Sequence, residues 1–172
     1  MRSPARRSPA AARDSRSRAL VVAVSHEGVR AAREASAGSL ARAARVVLRA
    51  EKVPAALISV AFVTTTRMST LNAHHLRRRG PTDVIAFGLT NAGRAQGKRP
   101  PVVGDVYISP SVARENARRL SVSVREELVR LVVHGVLHVL GYTHPDGPAR
   151  ERSPMWRRQE ALVQRALKVR AA

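Results

Sequence analysis

His134, His138 and His144 fall within eleven residues and make up half of the chain's six histidines. They lie in the run L-V-R-L-V-V-H-G-V-L-H-V-L-G-Y-T-H, whose first part has the apolar character of a buried helix. His134 and His138 are four apart, which on a helix puts both rings on one face, one turn from each other. Gly141 comes three residues later, where glycine can take the left-handed conformation that stops a helix and turns the chain back. His144 follows after three more residues, placed to bring a third imidazole to the same point. The chain has no cysteine. Thiolate sites and disulfides are therefore excluded, and any transition-metal site must be built from histidine and carboxylate. Three neutral imidazoles with an open fourth position form a common catalytic zinc site, in which the bound water is acidified to a pKa of about 7. The pattern points to a single-zinc hydrolase, although nickel, cobalt or copper also suit a histidine-only site.

The spacing H-x3-H-x2-G-x2-H is also that of the metzincin peptidases, which carry a glutamate general base directly after the first histidine. Here that position is Gly135. The missing base argues against a peptidase while leaving the hydrolytic metal in place. A protein that keeps zinc only for structure is a third reading, against which the open coordination position speaks. His26, His74 and His75 show no comparable spacing and are read as surface or structural residues.

The elements that must position these rings can be read from periodicity. Ala19–Val24, Ala56–Thr64, Asp83–Leu89 and Val102–Ile108 are apolar, β-branched strand candidates. Helices are expected over Ser39–Ala50 with Ser39 as N-cap, over Arg67–Arg77, from Pro110 to Leu120 after Ser109, over Val124–Leu140 with Ser123 and Glu126 as a capping box, and over Glu151–Arg170. Residues 90–101 form a Gly/Pro/Lys/Arg-rich loop. The order β-α-β-α-β-β-α-α-α implies one α/β domain, a mixed four-stranded sheet with helices packed on it and the metal site at the end of a central helix. Asp83 and Asp105, at or near strand starts, could each orient a histidine through its second nitrogen, but a turn-capping role is the better reading. Tyr142 either lines the site or packs behind Gly141.

Length and charge bound the partners. A chain of 172 residues suits one compact domain with a tail. Residues 1–18 carry six arginines and one aspartate among Ser, Ala and Pro, and read as a disordered basic tail before a folded unit at 19–172. The net charge of +19, from 31 basic and 12 acidic residues, favours a polyanionic partner such as nucleic acid. Aromatic residues make up only 3%, which leaves little for a base-stacking platform. No stretch is long and apolar enough for a membrane span, and no apolar signal core opens the chain, so a soluble cytoplasmic protein is expected.

Several motifs in sequence order resemble the YbeY family of bacterial metal-dependent endoribonucleases. Its hallmark H-G-x-L-H-L-x-G-Y-D-H stands here as H-G-V-L-H-V-L-G-Y-T-H. G-D-V-Y-I-S-P from Gly104, P-T-D-V-I-A-F from Pro81 with Asn72 upstream, and Met155 followed by Gln159-Glu160 resemble further family motifs. The resemblance spans roughly residues 19–162. It implies a zinc-dependent endoribonuclease for single-stranded RNA, with one ion on His134, His138 and His144. It also implies a role in rRNA processing, notably 3′ end maturation of the small-subunit species, and in ribosome quality control. The implied partners are rRNA and ribosomal particles, with ribosomal proteins or GTPases as protein partners.

This chain departs from the family pattern at Thr143 (aspartate in the motif), Ala86 (serine), Gly88 (proline) and Leu76 (arginine in many relatives). Arg77, Arg78 and Arg79 follow Leu76 directly. Arg77 and Arg79 are weak candidates for phosphate contact, as are Lys98 and Arg99, because guanidinium in particular suits bidentate phosphate binding. A solvated helix end is the competing reading of the arginine run.

Overall fold

Parallel strands buried on both faces read as near-continuous apolar runs, whereas strands with one open face alternate. Both kinds occur here. The computed structural model describes residues 19–29, 34–89 and 101–169. The expected basic tail and the phosphate-contact candidates Lys98 and Arg99 lie outside them. Strands β1 (Leu20–Glu27), β2 (Ala56–Val63), β3 (Val84–Gly88) and β4 (Val102–Ile108) form one sheet in the order β1-β2-β4-β3. β1, β2 and β4 run parallel, and β3 is antiparallel to β4. β2 is central and buried at most positions, while β1 alternates.

The helices are α1 (Ala37–Ala50), α2 (Thr65–Leu76), α3 (Pro110–Leu120), α4 (Val124–Val139) and α5 (Pro154–Lys168). Ile58, Val60 and Phe62 of β2 point into the main core with Leu40, Val47, Leu48, Leu128, Val132 and Leu137. Ala61 and Val63 point to the opposite face, where Met68 and Leu71 of α2 cover them together with Ile85. α4 is buried at eleven of its sixteen positions and touches α1, α3, α5, β3 and β4. A helix apolar nearly all round belongs in a core. Its close approach to the sheet depends on Gly135, where an added Cβ would collide with the side chain of Val106.

The mixed four-stranded α/β architecture agrees with the sequence expectation, and the differences lie at element ends. α1 is capped by Ser36, whose hydroxyl accepts from the Ser39 amide, so Ser39 is already inside the helix. β1 continues to Glu27 because its parallel pairing with β2 persists to Val63. Thr64 leaves β2 to cap α2, accepting from the Arg67 amide at 3.1 Å, so α2 starts two residues before the expected Arg67. Ser123 accepts from the Glu126 amide at 3.1 Å, while the Glu126 carboxylate turns to Arg130. The expected helix from Glu151 begins instead at Pro154 behind the cap Ser153, after a 3-10 segment at Gly147–Arg152.

Candidate metal centre

The C-terminal half of α4 carries His134 and His138, and the chain then reverses. Gly141 has φ +91°, and the amides of Gly141 and Tyr142 close the helix end on the carbonyls of His138 and Leu137. This turn brings His144 back. One nitrogen from each of the three rings lies within 4.8 Å of the others. His134 is buried, and His138 and His144 are half-buried.

The second nitrogen of each ring fixes its tautomer. The Gln159 amide nitrogen donates to Glu160 Oε1 at 2.9 Å, which leaves Gln159 Oε1 facing His134 Nδ1 at 2.7 Å. An amide oxygen only accepts, so His134 carries its proton on Nδ1. His138 Nδ1 donates to the Tyr142 carbonyl and His144 Nδ1 to the Pro145 carbonyl, both at 2.9 Å. All three Nε2 atoms are thereby left with lone pairs. Those of His134 and His138 are 2.9 Å apart. Two facing lone pairs repel unless a cation lies among them, so the donor set fits a metal ion. Neutral imidazoles without carboxylate suit a transition-metal ion better than magnesium or calcium.

The electrostatics favour neutral rings at His134 and His138. Burial, with the charges of His138, Arg150 and His144 added, pushes the His134 pKa down to about 3, although the hydrogen bond to Gln159 opposes the shift. His138 is lowered by burial and by His144. The Arg150 guanidinium lies 5.6 Å over the Trp156 ring and 3.5 Å from His134 Nδ1. The 2.7 Å contact to Gln159 is much the shorter and decides the tautomer. Arg150 Nε is buried and has no hydrogen-bond partner.

Behind the rings runs a polar network. Arg130 binds Glu126 at 2.9 Å, Glu127 at 3.0 Å and Glu160 at 3.0 Å. Glu160 holds Gln159, and Gln159 holds His134. Asn116 extends the network from Glu127 to Asp83. Asp83 also caps the start of β3 by accepting from the Val84 amide at 2.8 Å, so its role is structural. Asp105 lies in β4, and the histidine nitrogens go to Gln159 and to backbone carbonyls instead. Tyr142 supports the site from behind: its carbonyl takes His138, and its hydroxyl donates to Glu51 at 2.7 Å.

Of the arginine run, Arg77 adopts φ 54° at the C-cap of α2, Arg79 is exposed, and Arg78 pairs with Asp146 at 2.6 Å. That pair ties the run to the loop just after His144. Leu76 and Thr143 are exposed. An added Cβ at Gly135 would collide with the Val106 side chain, so a side chain at the position of the peptidase base would force Val106 to shift. His26 stacks on Phe62, and His75 packs edge-on against Phe87, both outside the histidine group. Sequence reasoning gave no role to Gln159, Arg150 or Arg130. Gln159 was visible as part of a motif, but only its burial beside His134 reveals what it does.

The sequence model of the family described as Endoribonuclease YbeY matches residues 24–167. Endoribonuclease YbeY of Parafrankia sp. (strain EAN1pec) is 38% identical over 132 residues, covering 73% of this chain and 82% of that protein. Endoribonuclease YbeY of Geobacillus kaustophilus (strain HTA426) is 38% identical over 121 residues, covering 67% and 76%. The solution structure of TM1509 from Thermotoga maritima matches with a TM-score of 0.54 at 23% identity, covering 85% of this chain and 89% of that one, a likeness of fold.

Proposed function

The chain belongs to the family of endoribonuclease YbeY, and from that premise we propose that it is a zinc-dependent endoribonuclease that cuts single-stranded RNA. Its place would be rRNA processing, in particular 3′ end maturation of the small-subunit species, and ribosome quality control. The observation that carries the reading is the convergence of three lone-pair nitrogens from His134, His138 and His144. These residues would hold one zinc ion, which when bound supplies Lewis acidity toward a phosphate oxygen or a water.

The chain's own groups do the rest. Gln159 and the carbonyls of Tyr142 and Pro145 hold the rings in register. Arg150 adds fixed positive charge beside His134, where an anionic phosphate would be drawn. Arg77 and Arg79, at the end of α2, are weaker candidates for neighbouring phosphates. The net charge of +19 supports an RNA partner within ribosomal particles, with ribosomal proteins or GTPases as further partners. Among the described residues no helix is long and apolar enough to cross a membrane, and a cytoplasmic setting goes with an rRNA substrate. Residues 19–172 are taken as the catalytic unit, with 1–18 as its basic tail.

The test is a labelled single-stranded RNA carrying the small-subunit 3′ precursor, incubated with zinc-loaded protein beside a His134→Ala, His138→Ala variant. Cleavage that vanishes in the variant and with chelator supports the reading. Equal cleavage by both, or none by the loaded protein even with ribosomal particles, overturns it.

A further inference from the structure

Most arginines whose partners are defined in this fold meet a carboxylate. Arg130 meets three, Arg158 meets Glu51, Arg114 meets Glu34 and Arg78 meets Asp146. One group does not. Arg42, Arg45 and Arg49 recur at i, i+3 and i+7 on one face of α1 and line a groove of about 500 Å³ with Arg165 and Val169 from the end of α5 and with Val46. Among the described residues Arg42, Arg49 and Arg165 have no carboxylate within ion-pair distance, and Arg45 Nε reaches only the Leu20 carbonyl at 3.5 Å. Like charges three and four apart on a helix repel. Four guanidinium groups around one concavity make a site whose missing component is negative charge.

The end of α1 nearest Arg49 is tied to the histidine centre. Glu51, directly after α1, accepts from the Tyr142 hydroxyl and from Arg158, both at 2.7 Å. The end of α1 is thereby fixed against the turn whose carbonyl holds His138. From that end Arg49, Arg45 and Arg42 recede along α1, about 4.5–6 Å apart in axial rise, the scale of successive phosphates on an extended strand. On α5, Arg165 lies six residues past Gln159, about 9 Å of helix axis. Val46 and Val169 give the groove an apolar wall, and among the described residues lining it there is no aromatic ring on which bases could stack.

We propose that the groove between α1 and α5, lined by Arg42, Arg45, Arg49 and Arg165, is a second binding surface that takes the phosphate backbone of single-stranded RNA beside the histidine centre. The proposal rests on the reading of RNA as substrate. Recognition is of backbone charge, independent of sequence and strongly dependent on salt. The groove extends the contact beyond the nucleotides at the histidines, so that long strands bind better than short ones.

The test measures binding of a labelled single-stranded RNA to metal-stripped protein, in which the strand stays intact. The variant Arg42→Gln/Arg45→Gln/Arg49→Gln/Arg165→Gln is compared with Arg67→Gln/Arg118→Gln/Arg119→Gln/Arg125→Gln, which removes the same charge from exposed positions elsewhere. Circular dichroism and thermal midpoints check that both fold, and an all-lysine version of the groove variant keeps the charge should the glutamines disturb packing. The groove variant should bind about tenfold or more weakly, with the log–log salt slope reduced by about 2–3, at about 0.7 for each phosphate no longer neutralised. The lysine version should retain most binding. Equal weakening in the groove and control variants would overturn the proposal, reducing the effect to net charge. Cleavage by zinc-loaded wild type is scored separately: groove-dependent binding without cleavage sinks the nuclease reading and leaves the groove, while cleavage with groove-independent binding does the reverse.

Discussion

Gln159 Oε1 lies 2.7 Å from His134 Nδ1, and this one contact sets which nitrogen the buried ring presents to a cation. Without the acceptor, the ring is free to carry its proton on Nε2, where it would block coordination. Partners of this kind typically account for 10–100-fold in metal affinity. Gln159→Leu should therefore weaken zinc binding by about that factor, measured by competition with a chromophoric chelator. Gln159→Glu restores an acceptor and should recover most of the affinity. Nitrogen chemical shifts of His134 in the metal-free protein would report the tautomer directly, and an unchanged Nδ1–H form in the leucine variant would refute the assignment.

Acid should destabilise the metal-free protein. The folded-state pKa of His134 is lowered from 6.5 to about 3, so between these values the unfolded chain binds a proton that the folded chain excludes. The contribution of neutral His134 is fully present above pH 6.5 and is lost progressively as pH falls toward about 3. His138 shifts in the same direction. Urea midpoints of metal-free protein should fall between about pH 7 and pH 4, and His134→Asn should flatten that slope. A midpoint that holds steady over this range would contradict the burial argument.

Position 135 should accept nothing larger than glycine without cost. Gly135→Ala drives a methyl group into Val106, and overpacking of this kind costs about 1–3 kcal/mol. Denaturant unfolding measures it, and the double variant with Val106→Ala should recover part of the stability.

Arg130 is the most heavily engaged cation described. Its side chain is 12% exposed, and that of Glu127 only 3%. Arg130→Met would leave Glu127 and Glu160 without their cation at a cost of about 3–5 kcal/mol, as expected when one partner of a buried pair is removed. The exposed Arg78–Asp146 pair is different: Asp146→Asn should change stability by no more than about 1 kcal/mol. Thermal and chemical denaturation of the two variants would separate them clearly.

Much of the site was legible in the sequence because it is local. Histidines four apart, a glycine three further on and a returning histidine are a one-dimensional pattern, and the φ of Gly141 realises it directly. The strands were legible through their β-branched runs, and Val102–Ile108 matches residue for residue. What could not be read is contact between distant segments. Gln159 stands 25 positions from His134, and nothing in a polar residue on an amphipathic helix says that it turns inward. Element ends failed for separate reasons: two serines compete to cap α1, and Ser36 rather than Ser39 opens it, whereas α5 opens at Ser153 and Pro154 because a 3-10 segment occupies Gly147–Arg152. The Arg42–Arg165 groove needs two helices brought side by side, so the sequence shows only scattered arginines.

The three histidines are not held alike. Two ride on one buried helix whose backbone is locked against β4, and the third arrives on a short exposed turn steadied by the surface strap between Arg78 and Asp146. A chelate with two stiff arms and one soft arm comes apart in a fixed sequence. A bound ion would lose His144 first, because its turn can open while the helix pair stays in place, and that opening would expose the ion to exchange. Exchange of the metal should therefore be governed by the opening rate of a loop, while how tightly it is held at equilibrium is governed by the helix.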